Sequence, residues 1–199
     1  MPVNKPKRIV MHWTAGKGEA NSSDLDKYHE VVEADGTRVL CSRRPEANND
    51  TSDGDYAAHT RRFNTGAIGL AMCGMQGAQE SPFRKGRYAI SEPQLEAFIS
   101  MVAEYVDTYD IPLDRRHVLS HKEVHHTHGI YQDKWDIMWL PHMASPGHAV
   151  DVGDHLRDRI RQRHREIYGD TSIMASLDRE NLVEDIVGRI RDELNSRRL

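Results

Sequence analysis

Arg8-Ile9-Val10-Met11-His12-Trp13 (RIVMHW) is a short apolar run bounded by Pro6 on one side and Ala15-Gly16 on the other. A run of this length and composition, closed by breakers, reads as a buried strand, and it carries His12 to the strand end. Ile68–Cys73 (IGLAMC) is a second continuous apolar run, of the kind a central strand needs. Tyr28–Val32 and Thr37–Cys41 flank Asp35-Gly36, a pair that tolerates the positive φ of a tight turn, so they predict a hairpin. Arg116–Ser120 reads as a further short strand ending at His121, which places a second histidine at a strand end. Adjacent or parallel strands would bring His12 and His121 together.

Helical signals surround these runs. Ser91-x-x-Gln94 is a capping-box pattern with Pro93 in the first turn, followed by Leu95, Phe98, Ile99, Val102 and Val106 at helical spacing, and Pro112 ends the pattern. Arg43–Asp55 is rich in Asn, Asp, Ser and Pro and reads as a loop. After Pro146 come two charged amphipathic stretches, Asp151–Tyr168 and Ser176–Asn195, separated by Gly169-Asp170. In the second, Leu182, Ile186, Ile190 and Leu194 share one face, which leaves packing on the domain, self-association and an envelope contact all open. Near-balanced charge argues against a cationic membrane-disrupting helix. The expected architecture is α/β, a central mixed β-sheet flanked by helices, with residues 1–148 as the domain and residues 149–199 as a helical C-terminal extension.

The chain has 199 residues, enough for one domain with a short appendage. Its 27 Lys and Arg against 31 Asp and Glu give a net charge of -4, without the basic excess that binds a phosphate backbone, so nucleic acid is not an expected partner. No apolar run approaches the roughly 20 residues of a membrane span, and the N-terminal stretch has no apolar signal-peptide core. The expected site of synthesis is the cytoplasm. Two cysteines, Cys41 and Cys73, are too few for a disulfide scaffold and read as buried thiols. The outlier is 12 histidines, five of them (His117, His121, His125, His126 and His128) crowded together.

A hydrolytic zinc site needs three protein ligands and an open fourth position. His12, His121 and Asp136 can supply such a set, and Lys134, two residues before Asp136, can oppose negative charge developing on a substrate oxygen. Spacing alone does not single this set out, because His117 and His125 could mimic a different site.

Several phrases occur in a telling order: IVMHWTAG (Ile9–Gly16), YHEVVEADGT (Tyr28–Thr37), AAHT (Ala57–Thr60), NTGAIGLAMCG (Asn64–Gly74), LSHKEV (Leu119–Val124) and KWDIMWLP (Lys134–Pro141). Together they resemble the zinc-dependent N-acetylmuramoyl-L-alanine amidases, which include phage endolysins, bacterial recycling amidases and animal peptidoglycan recognition proteins. The resemblance implies that fold, one Zn2+ held by metal ligands His12, His121 and Asp136, catalytic roles for Lys134 and Tyr28, and a groove contact for His59. His29, on the opposite strand face from Tyr28, is not expected to be a ligand. Recycling amidases carry a glutamate where this chain has Ala71, which favours the endolysin and recognition-protein branches. HHTHGIYQD (His125–Asp133) lengthens the segment before Lys134 and reads as a solvated loop of open role.

The expected activity is hydrolysis of the amide between N-acetylmuramic acid and L-alanine in peptidoglycan, as a phage-type endolysin held in the host cytoplasm until release to the periplasm and cell wall. The rivals are a non-catalytic peptidoglycan-binding module, which Asp136 argues against, and a cytoplasmic recycling amidase. A metal-dependent nuclease built on His125-His126 is disfavoured by the acidic charge balance.

Overall fold

The computed structural model describes residues 5–169. In chain order the elements are β1 (Arg8–Trp13), α1 (Ser22–Lys27), β2 (Glu30–Val32), β3 (Arg38–Leu40), β4 (Ala67–Met72), α2 (Glu92–Tyr109), β5 (Val118–Ser120), α3 (His121–His128) and α4 (Ala149–Tyr168). The five strands form one mixed sheet in the order β3-β2-β4-β1-β5. β1 runs parallel to β4 and β5, β2 runs parallel to β4, and the β2–β3 hairpin supplies the antiparallel pair. Its turn uses Gly36 at φ +88, with Asp35 Oδ1 accepting from Thr37 N at 2.8 Å.

The central strands β1 and β4 are buried on both faces, which is why their sequences run apolar without alternation. The pleat still sorts them. Ile9, Met11 and Trp13 face the main core with Phe98 and Ile99 of α2 and Val152, Leu156 and Ile160 of α4. Val10 faces the other way, toward Leu119 and Val124. His12, two residues beyond Val10, therefore emerges on the side of the sheet away from α2 and α4.

Local differences from the expected elements have identifiable causes. Ser91 does cap α2, accepting from Gln94 N at 3.3 Å. The Gln94 side chain does not reach back to the cap; it donates to Val32 O (2.9 Å) and Cys73 O (2.8 Å), carbonyls at the ends of β2 and β4. The loop expected over 43–55 contains a 3-10 turn, Pro45–Asn49. β5 starts at Val118 because the Asp114 carboxylate takes the Arg116 and His117 amides, at 2.7 and 3.0 Å. His125, His126 and His128 lie on α3, not in a loop, because Ser120 and Glu123 form a capping box that nucleates the helix.

The compact unit carrying the sheet runs to His164. The stretch Ser176–Asn195 lies outside the described residues. No described helix is long and apolar enough to cross a membrane. Cys73 is buried and Cys41 half-buried; both are free, and burial pushes each thiol up to about 12.

Candidate metal centre

Met11 of β1 is the register partner of Ser120 of β5, so the next residues, His12 and His121, sit side by side where the strands run out. Their rings meet edge-on with centroids 4.7 Å apart. His121 is the first residue of α3, and the start of that helix is fixed twice over. Ser120 Oγ accepts from Glu123 N (3.3 Å) while Glu123 Oε2 accepts from Ser120 N (2.7 Å). Glu123, fully buried, is paired at 2.7 Å with Arg157 of α4, which also donates to Val118 O at 2.7 Å. Gly153 makes this approach possible, since a Cβ there would collide with the Glu123 carboxylate.

Asp136 arrives on the segment after α3. Burial of Ile137, Trp139 and Leu140 anchors that segment in the main core, and Lys122 N donates to Asp136 O at 3.1 Å. Trp135 packs edge-on to Trp13 with centroids 4.7 Å apart, so aromatic neighbours of two ligand positions clasp one another.

His12, His121 and Asp136 are, among the described residues, the one group of three or more His, Cys, Asp or Glu side chains able to converge on a metal; all three are buried. Asp136 Oδ2 lies 3.4 Å from His12 Nδ1 and 3.2 Å from His121 Nδ1. A tetrahedral ion with bonds of about 2.0–2.1 Å has edges of about 3.3 Å, so these separations suit zinc. The outer hydrogen bonds suit it too. His59 Nε2 donates to the Ala67 carbonyl (3.2 Å), which leaves His59 Nδ1 as the acceptor for His12 Nε2–H (3.2 Å), and Thr60 Oγ1 lies 3.3 Å from the same His12 nitrogen. His12 Nδ1 then presents its lone pair to the centre.

Charge states agree with a cation site. Burial pushes the His12 imidazole down to about 4, so it is neutral near pH 7. Burial alone would raise the Asp136 carboxyl, but the facing imidazoles of His12 and His121 outweigh it and hold the group down to about 2. Two imidazoles and one carboxylate, converging in a buried site, form a donor set that a divalent cation would satisfy.

Tyr28 is buried, its ring 5.3 Å from that of His12, and it shares an apolar cluster with Ala71. Ala71 is the register partner of His12, so the position that would bear glutamate in a recycling amidase offers only a methyl beside the centre. Burial, reinforced by the Asp136 charge, raises the Tyr28 phenol, which keeps its proton at neutral pH. Lys134, two residues before Asp136, is exposed and makes no hydrogen bond or ion pair among the described residues. His59 is 7% exposed and lies behind His12, over Gly69, where a Cβ would collide with its ring. His29 accepts from Gly69 N (2.9 Å) and bonds Asn48 Oδ1 (3.1 Å), away from the ligand group. His126 packs on His148, and His128 bonds Arg116 O at 3.1 Å.

Sequence reasoning did not find Thr60, Asn48, Gln132 or the Glu123–Arg157 pair. Only the last carried a usable signal, since Ser120-x-x-Glu123 has the same capping pattern as Ser91-x-x-Gln94.

A mixed α/β sheet with two histidines and an aspartate converging at its strand ends presents a ligand set of the kind that single-metal hydrolytic centres use. The chain belongs to the N-acetylmuramoyl-L-alanine amidase family, whose model matches residues 2–147. Among solved structures it is similar to the N-acetylmuramoyl-L-alanine amidase LysC from Clostridium intestinale URNW, at 16% identity and TM-score 0.46 over 77% of this chain and 87% of that one. It is also similar to the endolysin of bacteriophage Ph2119 from Thermus scotoductus MAT2119 (18%, TM-score 0.46, 68% and 79%). The Drosophila peptidoglycan recognition protein SA is a further likeness (16%, TM-score 0.43, 72% and 84%). No curated protein sequence matches.

Proposed function

We propose that this chain is a zinc-dependent hydrolase of the amide between N-acetylmuramic acid and L-alanine in peptidoglycan, acting as a phage-type endolysin. The observation that carries the reading is the buried convergence of His12, His121 and Asp136, in a chain of the amidase family. Zinc, when bound, supplies a Lewis acid for the amide carbonyl and an activated water near neutral pH.

The protein's own groups divide the remaining work. His12, His121 and Asp136 orient the centre and exclude bulk water from one side of it. Lys134, exposed and unpaired, faces negative charge developing on the carbonyl oxygen. Tyr28, a proton-bearing phenol beside His12, donates a hydrogen bond toward the reacting group rather than abstracting a proton. The absent carboxylate at Ala71 supports the lytic branch over the recycling branch, and a lytic role places the protein in the host cytoplasm until its release to the wall.

Digestion of purified peptidoglycan by zinc-loaded and chelator-stripped protein tests the proposal. New L-alanine amino termini that depend on zinc are expected. Wall that is bound but uncut in both states would establish the non-catalytic binding module instead, and new reducing sugar ends would overturn the amidase reading.

A further inference from the structure

The segment His125–Asp133 does more than lengthen the path to Lys134. It delivers one buried polar side chain, Gln132, 2% exposed, to the outer side of His121. Gln132 Nε2 donates to the Arg61 carbonyl at 2.9 Å, which fixes the amide orientation and turns Oε1 toward His121 Nε2 at 3.0 Å. A carboxamide oxygen only accepts, as does the Asp136 carboxylate 3.2 Å from Nδ1, so once a cation takes the Nδ1 lone pair the ring proton belongs on Nε2, where it donates to Gln132.

We propose that Gln132 is a positioning residue of the metal centre, holding His121 in the Nδ1-donor tautomer and ring orientation that zinc requires. Its second bond, to Arg61 O, ties this side of the centre to the loop bearing His59 and Thr60, the outer partners of His12. One glutamine thus links the supports of both histidines. The proposal rests on the zinc reading above. Outer partners of metal-bound histidine typically carry about 10–100-fold in metal affinity.

Two measurements test it on the full chain: zinc competition against a chromophoric chelator, and 15N-edited imidazole NMR of the zinc-loaded protein. Wild type is expected to bind zinc and to show His121 protonated on Nε2. Gln132→Leu should lose about 10–100-fold in zinc affinity and give mixed His121 tautomers. Gln132→Glu keeps an acceptor for Nε2 but loses the donor to Arg61 O, so it should retain the tautomer and lose less affinity than the leucine variant. Gln132→Met, unbranched and similar in length, reads the same loss if the leucine variant does not fold. Wild-type zinc affinity and an unchanged tautomer in Gln132→Leu or Gln132→Met would overturn the assignment while leaving the proposed function standing. A wild-type chain that binds no zinc would overturn both.

Discussion

His12 and His121 end neighbouring parallel strands, yet the two sides of the centre are held in unlike ways. His12 lies within β1, paired to Ala71 of β4 one residue past the last β5 pair, and its outer bonds run through His59 to a carbonyl of β4 itself. His121 opens a helix, and its supports come from farther along the chain: Gln132 beyond α3, and the Glu123–Arg157 pair reaching in from α4. The sheet side is secured by many backbone bonds that no single substitution removes. The helix side depends on a few buried side chains, so it is where single substitutions should act.

The largest effect, Asp136→Ala, tests whether the two sides are joined at all. Removing the one anionic ligand should abolish stoichiometric zinc and hydrolysis together, and retained zinc in metal analysis of the purified variant would strike Asp136 from the ligand set. Arg157→Met probes the helix side alone. It leaves the Glu123 carboxylate buried and unpaired, which should cost about 3–5 kcal/mol of unfolding free energy by denaturant titration. Adding Glu123→Met should recover most of that loss, and full stability in the single variant would refute the dependence of α3 on α4.

Tyr28→Phe addresses the sheet side, next to His12. Zinc content should be unchanged while kcat falls by about 10²-fold, and an unaltered kcat would remove the phenol from the chemistry. The mildest test is acid. Burial holds His12 and His29 down to about 4, against an ordinary 6.5, and pushes His59 well down too. Between those values the unfolded chain binds more protons than the folded one, so stability is full above about pH 6.5 and falls as pH drops toward 4. Denaturant midpoints of zinc-stripped protein across that window should decline steadily. A flat profile would mean these imidazoles are not buried in the neutral form.

The same contrast explains what could be read from sequence. RIVMHW, IGLAMC and the stripe from Leu95 to Val106 announce themselves by apolar pattern, so the sheet side and its histidine were legible. His121 and Asp136 were legible through their flanking phrases. Gln132 and Asn48 were not, because a single amide in a polar stretch has no periodicity, although Asn48 is wholly buried and bonds both Ala57 N (2.8 Å) and Ala57 O (3.0 Å). Arg157 was hidden among the charges of α4, several of which reach solvent. Its one local trace is Gly153, four residues earlier on the same helix face, where the missing side chain admits Glu123.

The clasp of Trp13 and Trp135 gives the molecule a built-in optical gauge. These indoles adjoin His12 and Asp136 in sequence and lie 4.7 Å apart, so they couple as chromophores when the segment bearing Asp136 closes onto β1. Near-ultraviolet circular dichroism and intrinsic emission therefore report the assembly of this centre without any added label.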